Sequence, residues 1–117
     1  MTTTIRKADL VESIAAALQY ISYYHPADYI AHLARAYERE QSPAAKDAIA
    51  QILTNSKMCA EGRRPICQDT GIVNVFLKIG MDVRWEGFEG SVDDAVNEGV
   101  RKGYLNPDNV QIGRAHV

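Results

Sequence analysis

The chain predicts an α+β fold. Three observations point there: helix-period apolar patterning over its first half, a β-branched run bounded by Gly71 and Gly80, and a capped amphipathic stretch after Ser91. Leu10, Val11, Ile14, Leu18 and Ile21 recur at three- and four-residue steps, and Asp9 with Glu12 has the spacing of a capping box. A first helix therefore spans roughly 9 to 24. Pro26 cannot continue it but suits the first turn of a second helix, which carries Tyr29, Ile30, Leu33 and Tyr37 on one face and ends near Glu40. Ser42 then supplies a capping oxygen and Pro43 a first helical position, ahead of Ala48, Ile49, Ile52 and Leu53. This third helix runs to about Cys59.

Gly62 and Pro65 break the helical pattern, so residues 62 to 71 read as a loop. Val73, Val75, Phe76, Leu77 and Ile79 predict a buried strand over 72 to 79, and Met81 to Trp85 alternates as a second strand. Together they predict a short β-hairpin turning near Gly80. Ser91 and Asp94 cap a last helix whose inner face carries Val92, Ala95, Val96, Gly99 and Val100, and Asn106-Pro107-Asp108 terminates it.

Length and composition allow one domain or part of one: 117 residues, 46% hydrophobic and 24% charged, which is ordinary for a soluble globular chain. The formal charge of −2 is spread along the sequence, so no basic stripe tracks a nucleic acid or an anionic membrane. Neither a signal peptide nor a membrane-spanning run is present, which predicts a cytoplasmic protein. Two cysteines in such a chain suggest thiols or metal ligands before a disulfide. His25 at the first corner reads as a solvated or capping imidazole, and His32 as a surface residue. The arginine pair Arg63-Arg64 reads as solvated, with attraction of an anionic substrate as the alternative. From Ile112 to Val117 the residues look like the translation of a sequencing-library adapter followed by a stop codon. The expectation is an open frame continuing past Val110.

The chemistry concentrates in "RRPICQDTGIVNVF", residues 63 to 76. Cys59 closes an apolar helix face and reads as a small buried hydrophobe, whereas Cys67 falls in the loop. The seven residues between them match no usual zinc or ferredoxin spacing. Three uses of the loop remain open. Cys67 as a nucleophile requires a base that the three histidines do not advertise. Asp69-Thr70-Gly71 has the tripeptide of a retroviral-type aspartic protease, but a helical pattern precedes it where those enzymes have a strand. As an iron–sulfur ligand, Cys67 would act with cysteines elsewhere, and a cluster held by three of them leaves one iron open as a Lewis acid. A bland alternative is a noncatalytic α+β interaction module in which Cys67 is a loop thiol and Asp69 caps a turn.

The runs "NSKMCAEGRRPICQDTGIVNVFLKIGMDVRW", "YISYYHPADYIAHLARAYEREQSPAAKDAIAQIL" and "VNEGVRKGYLNPDN" resemble the amino-terminal part of bacterial class I fumarate hydratase. The resemblance covers residues 5 to 110 and includes the family's cluster-binding signature, Cys-Gln-Asp-Thr-Gly. It implies that residues 1–111 are the amino-terminal part of an iron–sulfur hydro-lyase catalytic domain, and that 112–117 are a non-native tail. It further implies that Cys67 is one of three cysteine ligands to a 4Fe-4S cluster, that Gln68 and Asp69 contact a dicarboxylate (fumarate or L-malate), and that Asp69 belongs to the catalytic machinery. Thr70 and Gly71 would shape the turn presenting them, and the full-length protein would be a homodimer. The α chain of a tartrate dehydratase shares the signature and is the rival within the class. A lone loop cysteine cannot hold a cubane, so the cluster is not expected to assemble on these 117 residues alone.

Overall fold

A computed structural model describes residues 2–66 and 73–105. The element order is β1 (Thr3–Arg6), α1 (Lys7–Tyr23), α2 (Ala27–Arg39), α3 (Pro43–Gly62), β2 (Val83–Glu86) and α4 (Val92–Leu105). Helix and strand are mixed, as the α+β reading requires. The chain divides into two compact units, Ile21–Asp69 and Met1–Tyr20 with Thr70–Val117.

In the unit Ile21–Asp69, α2 packs against α3. Pro26 stands one position before α2 with φ −58° and ψ 146°, so it caps the helix instead of opening its first turn. Its carbonyl nonetheless accepts the first helical bond, from the Ile30 N–H at 3.2 Å. Asp28 in the first turn and Arg39 in the last complement the helix dipole. Ser42 caps α3 by accepting from the Ala45 N–H at 3.5 Å, with Pro43 following it as expected. The two helices also meet where the Lys46 ammonium lies 4.4 Å from the Tyr37 ring centre.

α3 continues to Gly62, past the expected end at Cys59. Gly62 weakens the last turn without ending it, because the left-handed residue that reverses the chain is Arg63. His25 differs from its solvated reading. Its Nδ1 lies 2.9 Å from the Ser56 hydroxyl and its ring stacks on Tyr29 at 4.8 Å, so the imidazole links the α1–α2 corner to α3. His32 is exposed, as expected, and accepts from Arg35.

The other unit packs Val11, Ile14 and Leu18 of α1 toward the small residues Ala95, Gly99 and Gly103 of α4. Those three recur every four residues, so they present one flat stripe along α4. The expected capping box at Asp9 and Glu12 does not open α1, which starts at Lys7; Asp9 instead accepts from the Arg6 guanidinium at 2.9 Å. A capping box does form at α4. The Ser91 N–H donates to the Asp94 carboxylate at 3.0 Å, and the Asp94 N–H donates to the Ser91 hydroxyl at 3.2 Å.

The expected hairpin does not form. Among the described residues, 73–80 adopt no strand. β2 instead pairs in parallel with β1, in the register Thr3 to Val83, Thr4 to Arg84, Ile5 to Trp85 and Arg6 to Glu86. A turn in which the Val83 N–H reaches the Gly80 carbonyl at 3.4 Å feeds β2, and the Thr3 N–H bonds the Asp82 carbonyl at 3.3 Å. The β-branched run Thr2-Thr3-Thr4-Ile5 was the local signal for β1, but its partner lies far along the sequence. Among the described residues no helix is long and apolar enough to cross a membrane.

Candidate functional site

Cys67, Gln68, Asp69, Thr70 and Gly71 lie outside the described residues. What the structure does define is the segment that leads into them, Arg63 to Ile66. At the end of α3, Arg63 adopts the left-handed conformation, with φ 50° and ψ 50°. The N–H groups of Arg63 and Arg64 both return to the Cys59 carbonyl, the latter at 3.0 Å, which closes a Schellman-type helix end. The chain leaves the helix by this reversal. It is then pinned, because the Ile66 N–H donates to the Ser22 carbonyl in the last turn of α1 at 2.8 Å.

Side chains reinforce that anchor. Ile66 is 2% exposed and Tyr23 equally so, while Ser22 and Ser56 are buried beside them in the same unit. Cys59, a buried free thiol, donates weakly to the Pro65 carbonyl at 3.5 Å and to the Asn55 side-chain oxygen at 3.7 Å. Its reading as a small core residue is correct. The Arg63 guanidinium sits 5.8 Å from the Tyr23 ring centre, and Arg63 and Arg64 are both exposed. Two cations therefore stand in water directly ahead of Cys67, the first of them fixed by the helix end.

An L-residue other than glycine in the left-handed region is strained by about 1 kcal/mol. Arg63→Gly relieves that strain and Arg63→Ala does not, while both remove the contact with Tyr23. The glycine variant is thus expected to exceed the alanine variant in unfolding free energy by about 1 kcal/mol, as read from urea denaturation midpoints. Equal midpoints would mean that the helix does not end through this conformation.

The donor set can be tested against the iron–sulfur expectation. Only two cysteines exist in the chain, and Cys59 points into the core with its thiol bonded to the α3 exit. Among the described residues no three His, Cys, Asp or Glu side chains are grouped to hold a metal ion. A cubane cluster therefore does not fit this chain by itself, because Cys67 alone is left to offer a sulfur. Sequence reasoning did not find the Ser22 carbonyl as the anchor of Ile66, nor the pairing of His25 with Ser56. The His25–Ser56 pair spans 31 positions, and no local pattern signals it.

The unit containing α4 has an open cleft of about 1070 Å³ between α1, α4 and the end of β2. Lys7 pairs with Glu98 at 3.1 Å and Lys102 pairs with Glu12 along its walls. Opposite charges thus meet in pairs, and the cleft presents no field of one sign to attract an anion.

The family model described as Fumarate hydratase (Fumerase) matches residues 11–111. The chain is similar to a provisionally named L(+)-tartrate dehydratase subunit alpha from Methanocaldococcus jannaschii, 37% identical over 79 residues, which are 68% of this chain and 27% of that protein. It is also similar to a provisionally named class I fumarate hydratase from Geobacillus stearothermophilus, 28% identical over 102 residues, which are 86% of this chain and 20% of that protein. The chain spans about a quarter of the first relative and a fifth of the second. No solved structure matches it.

Proposed function

We propose, on the premise that this chain belongs to the fumarate hydratase (Fumerase) family, that it is the amino-terminal part of an iron–sulfur hydro-lyase interconverting fumarate and L-malate. The observation carrying this reading is the family match over residues 11–111, which takes in Cys67-Gln68-Asp69-Thr70-Gly71 together with both flanks. Residues 1–111 form that part of the catalytic domain, and 112–117 are foreign to it. Cys67 is one of three cysteine ligands to a 4Fe-4S cluster, the other two lying in protein beyond this chain. When bound, such a cluster supplies a Lewis acid for a substrate oxygen.

The chain's own residues have distinct tasks. The Gln68 amide can donate to a substrate carboxylate, whereas the Asp69 carboxylate is acceptor-only when ionised and suits a hydroxyl, since a second carboxylate would repel it. The pinned Arg63–Ile66 segment supports this assignment, because residues that contact a small substrate need a fixed starting point. The complete protein is cytoplasmic and homodimeric, with neither nucleic acid nor membrane as partner. A second reading, the α chain of a tartrate dehydratase, is favoured by the 37% identity to the Methanocaldococcus protein. It keeps the same roles for Cys67, Gln68 and Asp69 on a different hydroxy diacid.

The isolated 117-residue chain is expected to take up no cluster and to hydrate no fumarate. Anaerobic reconstitution with iron and sulfide should leave no broad visible absorbance, and turnover should be absent. In a family-length protein the same treatment should yield a cluster, and Cys67→Ser should lose bound iron and hydration activity together. Retention of both would remove Cys67 from the ligand set. Comparing kcat/KM for fumarate and for tartrate in that protein separates the two substrate readings.

A further inference from the structure

We infer that residues 73–81 dock as a β-strand against the carboxy-terminal remainder of a family-length polypeptide. This inference rests on the reading of the chain as an amino-terminal part. Val73, Val75, Phe76, Leu77 and Ile79 are strand-forming residues in close succession, yet residues 73–80 lie outside any strand. No backbone hydrogen bond joins residues 73–79 to another described residue. Phe76 is 92% exposed and Met81 99% exposed, with Val75, Leu77 and Ile79 also exposed. Apolar side chains held in water are unfavourable, and here they cluster in one segment whose backbone groups remain open to pairing.

The neighbouring sheet is equally incomplete. β1 and β2 form a two-stranded parallel pair, whereas parallel strands are normally found in larger sheets covered on both faces. In an extended conformation Val73, Val75, Leu77 and Ile79 would share one face, with Asn74, Phe76 and Lys78 on the other. A face that is apolar at every position needs a cover, whereas the face carrying Asn74 and Lys78 can stay in water. A second copy of this chain pairing edge to edge would satisfy one row of backbone groups but leave the apolar face wet. The remainder of a longer protein can both pair with the strand and cover that face, and the relatives provide for it: this chain spans only 27% of one and 20% of the other.

Hydrogen–deuterium exchange across residues 73–81 tests this, comparing the 117-residue chain with a family-length polypeptide that contains it. Exchange should be near the unprotected rate in the short chain, and slower by on the order of a hundredfold or more in the long one. Leu77→Pro gives a second readout. It should leave the thermal midpoint of the short chain in place and lower that of the long one by several degrees, because proline removes a ladder donor only where a ladder exists.

Equal exchange in both proteins, or a long protein indifferent to Leu77→Pro, would overturn the docking while leaving the family-fragment reading intact. Protection that appears in the short chain as its concentration rises would assign the surface to a second copy and overturn the inference too. A frame that stops at Val117 would end the fragment reading itself, and this inference with it.

Discussion

Gly99→Val is expected to cost the α1–α4 unit about 2–4 kcal/mol, visible as a large fall in its urea midpoint. A Cβ at Gly99 would lie 2.8 Å from the Ile14 Cβ, 3.0 Å from its Cγ2 and 3.0 Å from the Val11 carbonyl oxygen. None of these atoms can swing away. Ile14 is β-branched and buried, and the Val11 carbonyl belongs to the α1 backbone, so the two helices must separate and lose contacts along their length. Gly103 provides the control. A Cβ there meets the Leu18 Cδ1 at 2.6 Å, its Cβ at 3.2 Å and its Cγ at 3.4 Å, so the sharpest clash is with the end of a rotatable side chain and none of the three is with backbone. Replacing a helical glycine by alanine also gains about 1 kcal/mol in propensity. Gly103→Ala should therefore lower the midpoint less than Gly99→Ala, which meets the α1 backbone and carries the same propensity gain. If Gly99→Val unfolds at the parent midpoint, the small-residue stripe of α4 is not in contact with α1.

Ile66→Ala should cost the Ile21–Asp69 unit about 2–5 kcal/mol, a large share of what a domain of this size possesses. Ile66 is 2% exposed and precedes Cys67 directly, so its side chain is the last apolar anchor ahead of the candidate site. Alanine leaves the bond from the Ile66 N–H to the Ser22 carbonyl available but empties the space around it. Ile66→Val, which removes one methylene, should cost only about 0.5–1.5 kcal/mol. The graded series distinguishes cavity formation from loss of the backbone anchor. In a family-length protein, Ile66→Ala should also lower kcat/KM, by allowing Cys67 and the residues after it to depart from their productive positions. A stability change with unaltered kcat/KM would show that Ile66 holds the core and not the site.

Features governed by chemistry within a few residues were legible in advance. The Ser42-Pro43 helix start and the Ser91–Asp94 capping box are local hydrogen-bonding devices, and both occur where the residues indicate. The same grammar misled at Asp9, because the Arg6 guanidinium competes for its carboxylate and α1 begins two residues earlier. It misled again at Gly62, where backbone freedom suggested a break but Arg63 makes the turn. In the candidate site, Cys67, Gln68 and Asp69 stand out by residue type and by family resemblance. The Ser22 anchor of Ile66 and the His25–Ser56 pair do not, since their partners are chosen by packing.

By itself, then, the amino-acid order determined the helical character of the amino-terminal half, the capped final helix, and the identity of the cysteine, amide and carboxylate at the candidate site. These follow from periodicity and from contacts over three or four positions. Only the tertiary structure decided that Val83–Glu86 pairs in parallel with Thr3–Arg6 instead of folding back on the preceding run, and that Ile66 is held to Ser22. Strand partners and loop anchors depend on which distant surfaces meet, and a strand-forming segment carries the same local preference whichever partner it finds.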